Sequence, residues 1–320
     1  MLVVVAPGQG AQSPGFLTPW LEVPGVADRL NWLSAVSGID LVAHGTVSDA
    51  DTIRDTAIAQ PLIVGAGLVT LLALFPHPER AYNKIAGGAG HSVGEITAAV
   101  GAGVLSAEQA MVLVRERGRA MAEAAAVTPT GMSAVLGGDA DEVVSVAESH
   151  GLTPANMNGN GQIVVAGTLE QLAAFADAPP TSARVRPLEV AGAFHTHHMA
   201  PAVATLAGYA KAITTDDPRV PLLSNADGQV VHHGIDYLNR LVSQVSNPVR
   251  WDLCMQTIGD LGATAVLEIP PAGTLTGMIK RALPNVETLA LKTPDDLPAA
   301  WNLINEHATP NTHETVKENT

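Results

Sequence analysis

The stretch Ala86-Gly87-Gly88-Ala89-Gly90-His91-Ser92-Val93-Gly94-Glu95 constrains this chain more than any other. Gly90-His91-Ser92-Val93-Gly94 fits G-x-S-x-G, a pattern in which a strand ends in a sharp turn and a helix begins at once. The serine then sits in a strained conformation with its hydroxyl lifted clear of the sheet, and the glycines let backbone pass close by. The flanks agree: Ile85 and small residues lead in, and Glu95-Ile96-Thr97-Ala98-Ala99-Val100 reads as helix. So short a pattern also arises by chance in a chain with 30 glycines, where it marks a plain strand-to-helix turn. The other segments decide between a catalytic serine and that alternative.

Residues 2–6 read as a buried strand, and Pro7-Gly8-Gln9-Gly10-Ala11-Gln12 as a glycine-rich turn. The start of the chain has no basic segment before its apolar run and breaks at Pro7-Gly8, so it is read as a strand and not a signal peptide. A dinucleotide fingerprint would need glycine at position 13, where Ser13 precedes Pro14-Gly15, and an acidic residue ending a second strand at the right distance. Backbone N–H groups of such a turn can instead hold an oxyanion, because in elbow-serine folds an earlier strand-loop supplies the second donor. Gln60-Pro61 is read as the opening of a long apolar helix, proline being well tolerated in a first turn. The apolar run at 62–75 falls below the roughly 18 residues of a membrane-spanning helix.

Ser106-Ala107-Glu108-Gln109 is a capping box, and the helix it opens is expected to run to about Val127. Ala110, Leu113, Val114, Met121 and Ala122 form its apolar face. Arg117 falls on that face, whereas Arg115 and Arg119 point toward solvent. An inward arginine cannot be neutralised by losing a proton, so it needs an anion. That anion is either a buried aspartate or glutamate, or the carboxylate of a substrate.

Thr128-Pro129-Thr130-Gly131 breaks the helical pattern and marks a domain edge. Strand at 132–136, helix from Asp139, strand-like residues 152–156, strand at 162–166, helix from Thr168 with a second capping box to Gln171, and strand at 183–190 follow. That βαββαβ order is ferredoxin-like. The expected fold is α/β: a large α/β-hydrolase-like domain with a central, mainly parallel sheet, plus a small inserted ferredoxin-like α+β subdomain. Residues 1–127 and 191–305 make the large part, 128–190 the insert and 306–320 a polar tail. Strand at 220–223, helix at 235–244, strand at 266–269 and helix at 275–283 complete the large part.

Composition narrows the partners. A net charge of −14 disfavours nucleic acid and anionic membranes, and the single Cys254 excludes an intramolecular disulfide and suits a reducing compartment. A soluble, cytoplasmic protein is expected. Phe194-His195-Thr196-His197-His198 gathers three histidines, but H-x-H-H lacks a defined helical ligand spacing and no second ligand-rich cluster appears, so no metal is expected.

Four separated pieces resemble malonyl-CoA:acyl carrier protein transacylases: Pro7 to Gln12, Gly90 to Glu95, Arg115-Glu116-Arg117-Gly118-Arg119-Ala120-Met121, and Gly192-Ala193-Phe194-His195. Weaker agreement lies at Gln60-Pro61, Asn156-Met157-Asn158, Gly161 to Gly167 and Asn247-Pro248-Val249-Arg250-Trp251. The likeness runs from the first strand to about residue 290. It implies ping-pong acyl transfer with Ser92 as nucleophile and His195 as its base. It further implies backbone N–H groups of Gln9 and Val93 as the oxyanion hole, and the Arg250 backbone carbonyl as the group that orients the histidine. Arg117 would grip the malonyl carboxylate with its two-pronged guanidinium, with Gln60, Asn156 and Phe194 as further substrate-binding residues. In related domains of modular synthases a phenylalanine directly before the histidine accompanies malonyl selection and a serine there accompanies methylmalonyl; core packing is the plainer role for Phe194.

The resemblance implies malonyl-CoA, CoA and acyl carrier protein as partners, a monomer, and no cofactor or metal. Two departures stand out: Pro270-Pro271-Ala272 replaces an expected Gly-Pro-Gly, and Asn160 replaces a proline in Asn158-Gly159-Asn160-Gly161. A simple serine esterase or thioesterase shares the elbow but has no use for an inward Arg117, and the transacylase subunit of a malonate decarboxylase shares the chemistry with another carrier. Because carrier proteins are typically acidic, docking onto an acidic enzyme calls for a local basic patch, for which Arg250, Lys280 with Arg281, and Arg184 with Arg186 are the candidates.

Overall fold

The structure, a computed structural model, describes residues 1–308. Its strands are β1 (Leu2–Ala6), β2 (Gly87–Gly90), β3 (Thr130–Gly137), β4 (Thr153–Gly159), β5 (Gln162–Thr168), β6 (Ala183–Pro187), β7 (Leu222–Leu223), β8 (Val230–Val231), β9 (Ala265–Glu268) and β10 (Glu287–Ala290). The α-helices before the insert are α1 (Val26–Ser37), α2 (Leu41–Thr46), α3 (Ala50–Arg54), α4 (Thr56–Leu74), α5 (Pro78–Ala81), α6 (Gly94–Gly101) and α7 (Ala107–Ala125). Then come α8 (Ala140–Ser149), α9 (Leu169–Asp177), α10 (Ala200–Ala210), α11 (Gly234–Gln244), α12 (Trp251–Asp260), α13 (Thr274–Ala282) and α14 (Leu297–His307).

Every residue of β1 is buried, with Leu2, Val4 and Ala6 in one core and Val3 and Val5 in the other. A strand covered on both faces reads as an unbroken apolar run, which is why Leu-Val-Val-Val-Ala shows no alternation. The six-stranded sheet has the order β10-β9-β1-β2-β7-β8 and is parallel except for the β7–β8 pair. Ala6 is the register partner of Gly90, so β1 and β2 end together. In open parallel sheets, sites form at these carboxyl ends. The insert is a second sheet in the order β4-β5-β3-β6, antiparallel throughout, with α8 and α9 as its two crossover helices. That is the ferredoxin-like arrangement on a mainly parallel α/β core.

Some boundaries differ from expectation. The long apolar helix starts at Thr56 and not at Gln60-Pro61, because the Asp55 side chain accepts from Ala57 N and caps it there. Pro61 therefore stands inside the helix, where its missing N–H leaves one carbonyl without an intrahelical partner. At 19 residues α4 is long and apolar enough to cross a membrane by length and composition, but 72% of that span is buried within the protein. β6 ends at Pro187, so residues 188–190 leave the sheet, and the strand expected at 220–223 is two residues long. Helix α14 buries Leu297, Ala300, Leu303 and Ile304 and runs to His307, so the expected tail starts no earlier than that; residues 309–320 of it lie outside the described residues.

Candidate active site

Ser92 sits between β2 and α6 at φ 52°, a left-handed conformation that costs a non-glycine residue about 1–2 kcal/mol. Crowding fixes the glycines around it. A Cβ on Gly94 would lie 2.2 Å from the Ala6 carbonyl oxygen, and one on Gly90 would lie 2.1 Å from the Gly94 carbonyl carbon. The end of β1 thus packs directly against the start of α6, bringing the Gln9 turn beside the serine.

Ser92 Oγ lies 2.8 Å from His195 Nε2. His195 Nδ1 donates to the Gln244 backbone carbonyl at 2.8 Å, which fixes the tautomer whose free Nε2 lone pair faces the hydroxyl. Burial, and then the nearby Arg117 charge, push His195 down to about 3, so it is a neutral base at physiological pH. The expectation that the Arg250 carbonyl orients the histidine is corrected here: Gln244 does so. Gln244 is the last residue of α11, and helix-terminal carbonyls have no intrahelical partner to accept from. Arg250 N–H instead donates to the Asn225 carbonyl, and its guanidinium is held by Asp252 at 3.0 and 2.8 Å.

Arg117 is 2% exposed, on the inward face of α7. Its Nη1 donates to Gln60 Oε1 at 2.7 Å, and its Nη2 to Gln244 Oε1 at 2.8 Å and to Ser92 Oγ at 3.3 Å. All three acceptors are neutral. Burial lowers Arg117 only to about 10, so it remains a cation. Glu95, the nearby carboxyl, is pushed up to about 8 by burial and carries little charge at neutral pH. It accepts from Asn225 N at 2.6 Å and from Gln244 Nε2. Among the described residues, a buried guanidinium beside the nucleophile is therefore left without a direct anionic partner. Arg115 and Arg119, by contrast, both pair with Glu116.

A cavity of about 80 Å³ opens here, bordered by Gln9, Gln60, Ser92, Asn156, Phe194 and His195. Gln60 orients Arg117 as well as lining the cavity. Gln9 Oε1 and Asn156 Oδ1 are buried acceptors without a hydrogen-bond partner among the described residues, while Gln9 Nε2 pins its turn to Arg54 O and Thr56 Oγ1. Val93 is the N-cap of α6, so its backbone stands at the positive end of the helix. Among the described residues, neither the Gln9 nor the Val93 N–H is spent on a protein acceptor. Ser92, His195, Arg117, Gln60, Gln9, Asn156 and Phe194 are thus brought together; Arg250 is not. His197 and His198 lie with their rings 4.1 Å apart and do not line this cavity.

Sequence reasoning missed Gln244, Asn225 and Glu95. Asn225 Oδ1 accepts from Ser92 N at 2.8 Å and its Nδ2 donates to the Gly90 carbonyl at 2.8 Å, bracing both sides of the elbow. Gln244 had a signal: it follows Tyr237 and Leu241 at helical spacing on the buried face of α11, the same pattern that singles out Arg117. A lone asparagine in a loop gives none.

Residues 3–296 match the family described as the acyl transferase domain. The malonyl CoA-acyl carrier protein transacylase of Mycobacterium tuberculosis H37Rv is 50% identical over 95% of this chain and 100% of its own length. A crystal structure of MCAT from Mycobacterium tuberculosis superposes with a TM-score of 0.91 at 49% identity, covering 94% of this chain and 100% of that one. A malonyl-transacylase solved in complex with a type II PKS acyl-carrier protein reaches a TM-score of 0.87 at 30% identity, over 94% of this chain and 99% of the other.

Proposed function

The chain belongs to the acyl transferase domain family, and we propose that it moves a malonyl group from malonyl-CoA to the phosphopantetheine thiol of an acyl carrier protein, supplying extender units for fatty acid synthesis. The observation that carries this reading is the double contact of Ser92 Oγ, 2.8 Å from the neutral base His195 and 3.3 Å from the unneutralised Arg117. A nucleophile poised beside a guanidinium held only by neutral acceptors suits an acyl donor with a terminal carboxylate.

Ser92 Oγ gives its proton to His195 Nε2 as it attacks the thioester carbonyl carbon, and the Gln244 carbonyl steadies the resulting imidazolium through Nδ1–H. The N–H groups of Gln9 and Val93 hold the tetrahedral oxyanion. Collapse breaks the C–S bond, His195 returns the proton to the CoA sulfur, and a malonyl-serine remains. Arg117 keeps the malonyl carboxylate fixed while CoA leaves and the second thiol enters. That thiol loses its proton to His195 and reverses the sequence. All groups named belong to one chain, so a monomer suffices, and no step calls for a cofactor or metal. A polyketide carrier protein is a second acceptor, favoured by the likeness to the type II complex. The single cysteine, Cys254, buried and unpaired, supports a cytoplasmic setting.

Intact-mass measurement tests the reading. Malonyl-CoA should add one malonyl group, which a thiol-bearing carrier protein then discharges. Release of free malonate at the same rate without any thiol acceptor would identify a hydrolase instead.

A further inference from the structure

A second cavity, about 320 Å³, lies in the large domain and shares no lining residue with the one at Ser92. Its walls are Val4 and Ala6 of β1, Leu68 and Leu72 of α4, and Thr97 and Ala98 of α6. It is at the lower end of the ~300–1,000 Å³ typical of ligand sites, in a protein interior that elsewhere packs closely. The lining is mostly aliphatic, and the polar residues Arg29, Tyr82 and Glu108 also border it. Glu108 already accepts from Trp32 Nε1 at 3.3 Å, and a second cation, Arg219, stacks 5.3 Å over the Tyr82 ring. An apolar well bordered by one guanidinium, Arg29, whose neighbouring carboxylate Glu108 is also engaged by Trp32, matches an amphiphile with a single tail and an anionic head.

We infer that this cavity binds the unbranched aliphatic chain of a free carboxylate, tail between α4, α6 and β1 and head group at Arg29. The site adjoins the catalytic framework without entering it. Ala6 leads into the turn that carries Gln9, and Thr97 stands one turn beyond Val93 on α6.

Calorimetric titration of the whole protein with sodium alkanoates of increasing length tests this. One saturable site is expected, unaffected by prior malonylation of Ser92. Affinity should rise about fourfold per added methylene until the well is full and then level off. Leu72→Trp, which fills the well, should weaken decanoate binding at least tenfold; should that variant fail to fold, Ala98→Leu takes volume from the same space. Arg29→Gln should weaken decanoate severalfold and leave decan-1-ol unchanged. Absence of saturable binding, displacement of decanoate by malonyl-CoA, or undiminished binding in folded filling variants would overturn the inference. Tighter binding of decanoyl-CoA than of decanoate would overturn the placing of a free carboxylate at Arg29.

Discussion

Ser92 and His195, 103 positions apart in the chain, meet at 2.8 Å and are both held at positive φ, 52° and 62°. Strained backbone of this kind persists only where the surroundings over-determine it. At Ser92 those surroundings are the crowded glycines and the Asn225 clamp; at His195 they are its N–H bond to the Val245 carbonyl and the Nδ1 bond to Gln244.

The first prediction separates this strain from the chemistry. Ser92→Ala and Ser92→Gly should both abolish covalent malonylation by intact mass. The glycine variant should be the more stable of the two by about 1 kcal/mol, because glycine takes the left-handed conformation without penalty. Equal or lower stability of Ser92→Gly in denaturant titration would mean the elbow is relaxed.

Protonation of His195 gives the second. Its native value near 3 lies below the ordinary 6.5 of imidazole, so the base form persists well into acid. The acid limb of kcat/KM, which reports the free enzyme, should therefore not turn at the ordinary histidine value. Stability moves the same way. Between about 6.5 and 3 the unfolded chain binds the proton and the native one refuses it, so this contribution is lost as pH falls through that window. His91, lowered by its own burial, has the same sign. Unfolding midpoints of wild type and His195→Gln should converge as pH drops from 7 toward 4; parallel curves would mean an ordinary, solvated imidazole.

Arg117 sets acyl selectivity in the third. Arg117→Ala should cost about 2–4 kcal/mol in kcat/KM for malonyl-CoA, the scale of truncating one partner of a buried charge pair. Acetyl-CoA, without the carboxylate, should lose little. Arg117→Lys should recover only part of the loss, since one ammonium cannot hold Gln60, Gln244 and a carboxylate in the same fork. Equal losses for both substrates would reduce Arg117 to a structural role.

These residues also mark what was legible in the sequence. The elbow, the inward Arg117, the two capping boxes and the βαββαβ order are local or periodic signals, and the fold follows them. The carbonyl that orients His195 left no such trace, because a backbone group has no side-chain signature and its place depends on where α11 ends in space. Motif position points to Arg250; six residues upstream, Gln244 supplies the carbonyl. Gln60-Pro61 reads as a helix start from the proline alone, but the side-chain cap at Asp55 starts α4 at Thr56.

Phe194 gives a fourth prediction. It is 6% exposed and borders the cavity directly before His195. Phe194→Ser should raise the ratio of methylmalonyl to malonyl transfer by no more than the roughly 1–3 kcal/mol that one methylene is worth in a pocket. An unchanged ratio in a stably folded variant would assign the ring to core packing alone.

The last prediction concerns where an acidic carrier protein docks, and the topology separates the sequence candidates. Arg250 is already paired with Asp252. Lys280 and Arg281 stand in the last turn of α13. That helix starts at the carboxyl end of β9, where Glu268 accepts from Leu275 and Thr276 N–H, and then runs back before β10 begins. The two cations therefore lie toward the opposite edge of the sheet from Ser92. Arg184 and Arg186 are exposed on β6, and Arg186 pairs in register with Ala134, which in turn pairs with Val164 on the cavity wall. They continue the sheet face that borders the active site, and the residues that follow, Leu188 and Val190, line the active-site cavity itself. Reversing Arg184 and Arg186 to glutamate should raise KM for carrier protein and leave malonylation of Ser92 by malonyl-CoA unchanged, whereas reversing Lys280 and Arg281 should change neither. The wild-type rate with carrier protein should fall as salt rises through about 0.1 M, where the screening length is near 10 Å. A KM that rises with the α13 reversal and not with the β6 reversal would move the docking surface to the far edge of the sheet, and a flat response to all three would make it apolar.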